Sequence, residues 1–409
     1  MISNNSKSWM PFIFLLILVS FVVIYVFLGD LFVSTRQPVQ PSPGCIAVQN
    51  NGDQENSIDI VFLPDNFQSV EKFREKTDKM IESFKGTKPY VEYGDRFNFF
   101  RIEQFDLILK CDYKYGGDAI VCDPSSVKKS ATLCPHDYVI VAVDSEGIQN
   151  LFDLLRSSAW MGIASLNTAD DPLVFSHEFA HLFANFADEY EYGGKISWDA
   201  PNCDSSWETC PKFNVVGDSE CVQGCVNNEN SRSINVGIMR DYWKSKVYGS
   251  YNEHILTAFI LKNTKASSND QIAKSMPINI VQLNYIDNNW QILNVEESVG
   301  YPDGFNQGAV STFKVVVENE NYENIFELDL PLPVLYLDGH DSENNPYYDA
   351  VLTDGVIYTV SVPKTDKESR IVVKNNNRIV SAYNLQKNQI ESISYNKVNI
   401  GIPQTFSSS

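Results

Sequence analysis

The spacing of apolar and polar residues predicts strands and helices in turn through the first half of the chain. Four short apolar runs have the length of buried strands, namely Ile58–Leu63, Phe97–Phe105, Tyr138–Val143 and Trp160–Leu166. Between them, Ser69–Phe84 carries apolar residues at helical spacing, and Ile148–Ser157 is a second predicted helix. Because strands and helices alternate, we expect an α/β (α+β) domain built around a sheet over residues 55–265.

The pattern changes near Met276. Short runs rich in Val, Ile, Leu and Tyr follow one another, separated by turns that contain Asn, Asp or Gly: Ile278–Tyr285, Val310–Val317, Ile325–Leu332, Val356–Val362 and Ile371–Val373. Regular short strands of this kind are typical of a β-sandwich. The sequence therefore predicts an all-β, sandwich-like domain over residues 276–395, and a C-terminal tail over residues 396–409.

An uncharged apolar run, Trp9–Leu28, follows a short N-terminal segment of residues 1–8. Twenty helical residues span about 30 Å, the thickness of the hydrocarbon core of a bilayer. The run exceeds the apolar region of a secretory signal peptide, so an uncleaved transmembrane signal-anchor is favoured over a cleaved peptide. The Pro-rich residues after it predict a tether over residues 29–54.

All eight cysteines follow the apolar run, which favours disulfide bonds and an oxidising exterior. Pairing inside the groups Cys111–Cys134 and Cys203–Cys225 is favoured over long-range pairing. The alternative is a structural zinc site formed by the four later cysteines, although they contain no C-x-x-C pair. We expect a single-pass protein of the cell membrane with its folded part outside. The net charge of −20 argues against nucleic acid as a partner.

The segment HEFAH carries the candidate chemistry. His177 and His181 are four residues apart on a predicted helix, so both imidazoles project from one face within reach of one metal ion. Zinc held by neutral imidazoles lowers the pKa of its water toward about 7. Glu178 is then placed to act as general base, and later to protonate the leaving amine. The pattern predicts a zinc-dependent peptide hydrolase.

The residues after His181 lack the Gly and third His of the pattern H-E-x-x-H-x-x-G-x-x-H. Asn185 is the residue best suited to a left-handed turn there. A break at this point brings Asp188 back toward the metal, whereas an unbroken helix carries it roughly 10 Å along the axis. Asp188 is the favoured third ligand. Glu189 and a carboxylate distant in sequence are the alternatives.

The segment HEFAHLFANFADEYE resembles a segment of the IgA-peptidase family of metzincin-like zinc endopeptidases, and DIVFLPDNF at Asp59–Phe67 and RFNFF at Arg96–Phe100 extend the likeness. The resemblance covers residues 55–260 approximately. It implies a zincin fold and a tight turn at Gly237–Arg240 whose Met239 lies beneath the zinc. It also implies that Trp160–Leu166 is an edge strand that pairs with an extended substrate.

Two tyrosines near these motifs are candidates for a supporting role. Tyr242, three residues after Met239, is positioned to donate a hydrogen bond to the oxyanion of a tetrahedral intermediate, and Tyr190 is an alternative. The sequence thus predicts a zinc metalloendopeptidase that acts on protein or peptide substrates. The alternative is an adhesion or binding protein that keeps a zincin fold without turnover.

Overall fold

The computed structural model describes residues 44–52, 56–114, 119–145, 156–191, 200–206, 208–264, 275–303, 312–331, 333–340, 346–352 and 355–391. All of these belong to one compact unit, Pro41–Ser409. The α-helices of the described ranges are α1 (Val70–Lys85), α2 (Pro124–Ala131), α3 (Val174–Ala184) and α4 (Ser250–Asn263).

Strands make up most of the regular structure in the described ranges. In chain order they are β1 (Cys45–Gln49), β2 (Ile58–Asp65), β3 (Phe97–Ile102), β4 (Asp112–Lys114), β5 (Ala119–Val121), β6 (Tyr138–Val143), β7 (Ser158–Trp160), β8 (Ile163–Asn167), β9 (Cys203–Asp204), β10 (Val222–Cys225), β11 (Asn227–Arg232), β12 (Met276–Ile286), β13 (Asn289–Gly300), β14 (Phe313–Asn319), β15 (Asn324–Asp329), β16 (Val334–His340), β17 (Pro346–Leu352), β18 (Val356–Pro363), β19 (Glu368–Asn375), β20 (Arg378–Asn384) and β21 (Gln389–Ile390).

The largest sheet is mixed, with the strand order β1-β3-β2-β6-β8-β7-β16-β17. Its four central strands, β3, β2, β6 and β8, run parallel, while β1 and β7 are antiparallel to their neighbours. The central strands are almost wholly buried, which explains why they appear in the sequence as continuous apolar runs. Beyond β7, the hairpin β16–β17 extends the sheet.

An aromatic core joins the helices α1 and α3 to the central sheet. The Phe84 ring of α1 stacks on the Phe175 ring of α3, with 4.9 Å between centroids, and meets the Phe179 ring edge-on at 5.3 Å. Tyr138 of β6 contacts Phe179 as well, at 5.1 Å. Rings of this size bury large apolar areas in defined orientations. The helix α3 is therefore fixed against both the sheet and α1, and all eleven of its residues are buried.

The remaining strands form smaller antiparallel sheets. One has the order β13-β12-β18 and another has the order β15-β14-β19-β20-β21. Their inner faces share one apolar core, in which Trp290, Tyr358 and Val315 are buried. The helix α2 lies against β18, and the Ser125 and Thr359 hydroxyls are 2.6 Å apart across this contact.

A buried cluster of charged residues lies at the same contact. The Lys128 ammonium of α2 forms an ion pair with the Asp303 carboxylate. His136 Nε2 lies 2.9 Å from the same carboxylate oxygen, and the Ser361 N–H donates to the other at 2.7 Å. Lys128, His136 and Asp303 are all buried. This cluster ties residues that precede the centre of the chain to residues of the C-terminal strands.

The predicted fold class is wrong. We expected an α/β (α+β) zincin-like domain, then an all-β sandwich-like domain, after a transmembrane helix. In the described residues strands predominate, the α-helices number four, and each sheet is mixed or purely antiparallel. The polar segment of residues 203–232 forms three strands, and β16–β17 joins the main sheet. Both the three strands within residues 203–232 and the position of β16–β17 depend on pairing between distant residues, which a local residue pattern does not predict. Most of the predicted helix Ile148–Ser157 lies outside the described residues.

The predicted single-pass placement in the cell membrane is also corrected. The apolar run Trp9–Leu28 lies outside the described residues. Among the residues that the structure does describe, no helix is long and apolar enough to cross a bilayer.

The predicted disulfide bonds are confirmed. Three are local, Cys111–Cys122, Cys203–Cys225 and Cys210–Cys221, and lie within the two cysteine groups noted in the sequence. The fourth, Cys45–Cys134, joins residues 89 apart and was not anticipated. Because the four later cysteines pair with one another, the alternative of a structural zinc site formed by them does not hold.

Candidate metal centre

The helix α3 ends where the sequence predicts that it should. Asn185 adopts the left-handed conformation, with φ 55° and ψ 38°, directly after the last helical residue, Ala184. Its N–H donates to the His181 carbonyl at 3.1 Å. Asn tolerates this conformation better than most residues with a side chain. The turn reverses the chain, so that Asp188 returns to the face of α3 that carries the two histidines.

Three possible ligand atoms converge at this turn. His177 Nε2 lies 3.2 Å from His181 Nε2, and Asp188 Oδ1 lies 3.1 Å and 3.5 Å from these two nitrogens. All three side chains are buried, and among the described residues they form a group able to hold a metal ion. Zinc bonds to His nitrogen and carboxylate oxygen are about 2.0–2.2 Å, so tetrahedral ligands lie roughly 3.3–3.5 Å apart. The three observed separations are close to these values.

Backbone carbonyls fix the tautomers of both histidines. His177 Nδ1 lies 3.0 Å from the Ile238 carbonyl oxygen, and His181 Nδ1 lies 2.7 Å from the Phe186 carbonyl oxygen. A carbonyl oxygen can only accept, so each Nδ1 carries the proton and donates it. In the neutral imidazole the lone pair then resides on Nε2, which faces the other ligand atoms. Metal-binding histidines characteristically make this second hydrogen bond.

The charge balance of the group favours a cation. Neither Asp188 carboxylate oxygen has a partner of hydrogen-bonding geometry among the described residues, although the side chain is fully buried. Burial raises the pKa of the Asp188 carboxyl, but the positive charge of protonated His181 and the contacts with both histidines lower it to about 2. Burial lowers the pKa of His181, and Asp188 raises it by more. The group therefore attracts positive charge, whether protons on the imidazoles or a metal ion, and its donor set fits zinc.

The alternative ligand Glu189 points elsewhere. Its carboxylate Oε1 accepts hydrogen bonds from Asn252 Nδ2 at 2.7 Å and from Asn202 Nδ2 at 3.3 Å. Burial raises the pKa of the Glu189 carboxyl to about 7, although both amides oppose this shift. The structure therefore brings Asp188, and not Glu189, to the histidine pair. The remaining alternative, a ligand distant in sequence, is not part of this group in the described residues.

Glu178 and Tyr242 lie beside the ligand group. Glu178 follows His177 on α3 and is 2% exposed. The Tyr242 ring centroid lies 5.2 Å from that of His177. Burial, and then the negative charges of Asp170 and Glu178, raise the pKa of Tyr242 well above its usual range. The phenol therefore stays protonated and keeps a proton to donate. For Tyr190, the alternative to Tyr242, the contact is one of the backbone: its carbonyl accepts a hydrogen bond from the Val226 N–H at 3.1 Å.

The turn that contains Met239 supports two sides of the site. The carbonyl of Ile238 accepts from His177, and the next carbonyl, that of Met239, accepts from the Glu189 N–H at 2.9 Å. Met239 itself is fully buried in the core around α3. A Cβ at Gly237 would lie 2.9 Å from the Ile234 side chain, so a glycine suits this close approach. The turn thus links the helix to the residue after Asp188.

Comparison with known protein families and with curated proteins found no match to this chain. The resemblance to the IgA-peptidase family consequently stays a hypothesis that rests on the sequence segments quoted above. Sequence reasoning missed the two amides that hold Glu189, Asn202 and Asn252. Asn202 precedes a cysteine in a polar segment and Asn252 lies on α4, so neither stands in a recognisable motif.

Proposed function

We propose that this chain is a zinc metalloendopeptidase. The observation that carries the proposal is the convergence of His177 Nε2, His181 Nε2 and Asp188 Oδ1 in a buried group, with Glu178 next to it on the same helix. Three protein ligands that leave a fourth position open are typical of catalytic zinc sites, whereas structural sites use four. The family resemblance of the segment that carries these residues supports the same proposal.

Each residue has a distinct task in the proposed reaction. His177, His181 and Asp188 hold the metal, and the carbonyls of Ile238 and Phe186 fix the two imidazoles in the tautomer that this requires. A zinc ion held there would supply Lewis acidity, which polarises a peptide carbonyl and lowers the pKa of water to about 7. Glu178 accepts the proton of the attacking water and delivers it to the leaving amine.

Tyr242 completes the set. Its phenol lies next to His177 and keeps its proton, so it donates a hydrogen bond to the oxygen on which negative charge develops. The substrate class is protein or peptide, because this combination of metal, base and donor suits the hydrolysis of an amide. Four disulfide bonds are typical of proteins that work in an oxidising compartment.

The proposal is tested with the zinc-loaded protein and a broad library of peptides. We expect cleavage that a chelator stops and that added zinc restores. Glu178→Gln keeps the size of the side chain and removes the base, so cleavage falls by about 10²–10⁴-fold while zinc stays bound. Glu82→Gln, the same substitution at an exposed position of α1, is the matched control and leaves cleavage unchanged.

Two results would contradict the proposal. Loss of zinc from Glu178→Gln would give this residue a role as ligand in place of general base. Stoichiometric zinc binding by the wild-type protein with no peptide cleaved would instead support the alternative function, a binding protein without turnover.

A further inference from the structure

The loop that carries Asp188 has no regular secondary structure of its own. Residues 185–188, which follow α3, are neither helix nor strand. A metal ligand on such a loop is held less firmly than one on a helix, because loops open at a lower free energy. Hydrogen bonds nevertheless fix both residues that flank Asp188, Ala187 and Glu189. The same buried side chain forms hydrogen bonds with both of them.

That side chain is Asn202, which is fully buried. Its Nδ2 donates to the Ala187 carbonyl at 2.7 Å, and its Oδ1 accepts from the Ala187 N–H at 2.8 Å. Both backbone groups of the residue before Asp188 are thus satisfied by one amide, as a neighbouring strand would satisfy them. Asn202 Nδ2 also donates to Glu189 Oε1, on the residue after Asp188, at 3.3 Å.

Asn202 is in turn held by the cysteine-rich segment. The next residue, Cys203, is bonded to Cys225 and belongs to β9, which pairs with β11. The Lys212 ammonium donates to the carbonyls of Ala200 and Cys203, at 3.2 Å and 2.9 Å, and so closes the loop on both sides of Asn202. The carboxamide therefore reaches Ala187 from a support that is covalently linked to β10.

We propose that Asn202 is a positioning residue for the zinc ligand Asp188, and that the disulfide-bonded sheet β10-β11-β9 holds it in place. The inference rests on the metal site of the proposed function. It gives the cysteine-rich segment of residues 203–232 a task that its sequence does not indicate. Asn202 is not one of the three residues of the ligand group, and it acts through the backbone of Ala187 and the side chain of Glu189.

The test measures zinc affinity with the full folded protein and no peptide, by competition with a chromogenic chelator. Residues outside the ligand shell that orient the ligands typically contribute about 10–100-fold to metal affinity. We therefore expect Asn202→Ala to raise the zinc dissociation constant by about 10–100-fold. The matched control is Asn279→Ala, because Asn279 is equally buried and its Nδ2 donates to the Glu368 carboxylate at 2.9 Å, in the β12 strand.

A purely structural role for Asn202 predicts a different result. Both alanine variants would then melt at a lower temperature, and neither would change the zinc dissociation constant; this outcome overturns the inference. If Asn202→Ala does not fold, Asn202→Asp replaces it. Aspartate keeps the volume and accepts from the Ala187 N–H, but it cannot donate to the Ala187 carbonyl, so weaker zinc binding is again expected.

The outcome is separable from that of the proposed function. Absence of peptide cleavage has no bearing on a zinc titration, so the inference can hold if the peptidase proposal fails. Wild-type protein that binds no zinc would overturn both. Wild-type protein and Asn202→Ala that bind zinc equally well would overturn the inference alone.

Discussion

Asp303→Asn tests whether the C-terminal strands and the α2 region form one stability unit. The Asp303 carboxylate faces the Lys128 ammonium and His136 Nε2, in a cluster whose Lys128 and Asp303 side chains are only 2% and 4% exposed. Asparagine keeps the shape and can still accept from the Ser361 N–H, but it removes the negative charge. The Lys128 ammonium then stays buried without a compensating carboxylate.

The free energy of unfolding that Asp303→Asn should lose follows from the burial of the Lys128–Asp303 ion pair. Removing one partner of a buried ion pair costs about 3–5 kcal/mol, because the other charge is left uncompensated. A folded domain is stable by only about 5–15 kcal/mol. Replacing both partners together, as in Lys128→Met with Asp303→Asn, leaves no orphaned charge. We therefore expect the double variant to recover part of the loss.

The loss also depends on pH. Burial raises the pKa of the Asp303 carboxyl, but the charge of Lys128 and the hydrogen bond with His136 lower it by more. The pKa of this carboxyl therefore lies well below its usual range. A carboxyl with a lowered pKa stabilises the fold above its unfolded pKa, near 3.9, and this contribution disappears as the pH falls toward the folded value. The difference between wild type and Asp303→Asn should therefore be full at neutral pH and shrink below about pH 4.

The assay is equilibrium unfolding in urea, followed by tryptophan fluorescence and by far-ultraviolet circular dichroism. The matched control is Glu296→Gln, which breaks the Lys129–Glu296 ion pair between α2 and β13, where both side chains are 56% exposed. An exposed pair contributes about 0–1 kcal/mol. A loss for Asp303→Asn no larger than that of the control would refute the reasoning from burial. Two separate transitions, of which one shifts, would refute a single stability unit.

Two further predictions concern the candidate site. In a chelator competition, Asp188→Ala should weaken zinc binding more than Glu189→Ala, because only Asp188 Oδ1 faces the two histidines. The reverse order of the two variants would identify Glu189 as the third ligand. Tyr242→Phe keeps the ring against His177 and removes the hydroxyl, so kcat should fall by about 10²–10³-fold with little change in KM. The measurement is steady-state peptide cleavage, in which an unchanged kcat would exclude Tyr242 as a donor to the oxyanion.

The core of the candidate site was open to prediction because its geometry is local. His177, Glu178 and His181 lie on one helix, where spacing alone fixes their relative positions. The residue type of Asn185 predicts a left-handed turn at the end of that helix, and its observed φ of 55° agrees with this prediction. The approach of Asp188 to the histidines follows from that turn. All of these relations lie within the twelve residues from His177 to Asp188.

The parts that escaped prediction depend on distant residues. The hairpin β16–β17 pairs with β7 at Leu335 and Trp160, and Cys45 is bonded to Cys134. The segment of residues 203–232 is polar and rich in Asn, yet disulfide bonds and pairing with one another make strands of it. Strand formation depends on the partner more than on the residues themselves, so a local pattern cannot indicate which segments meet. The fold class was wrong for this reason.

The pairing of β16 with β7 also sets an order of events during synthesis. Residues 158–160 leave the ribosome long before residues 334–340, and at about 5–20 residues per second the interval is on the order of ten seconds or more. Throughout that interval the β7 edge of the nascent sheet has no β16 beside it, while His177, His181 and Asp188 have already been made. Exposed edges invite pairing with other chains. A ribosome that stalls between these two segments would therefore present a nascent chain prone to aggregation through β7.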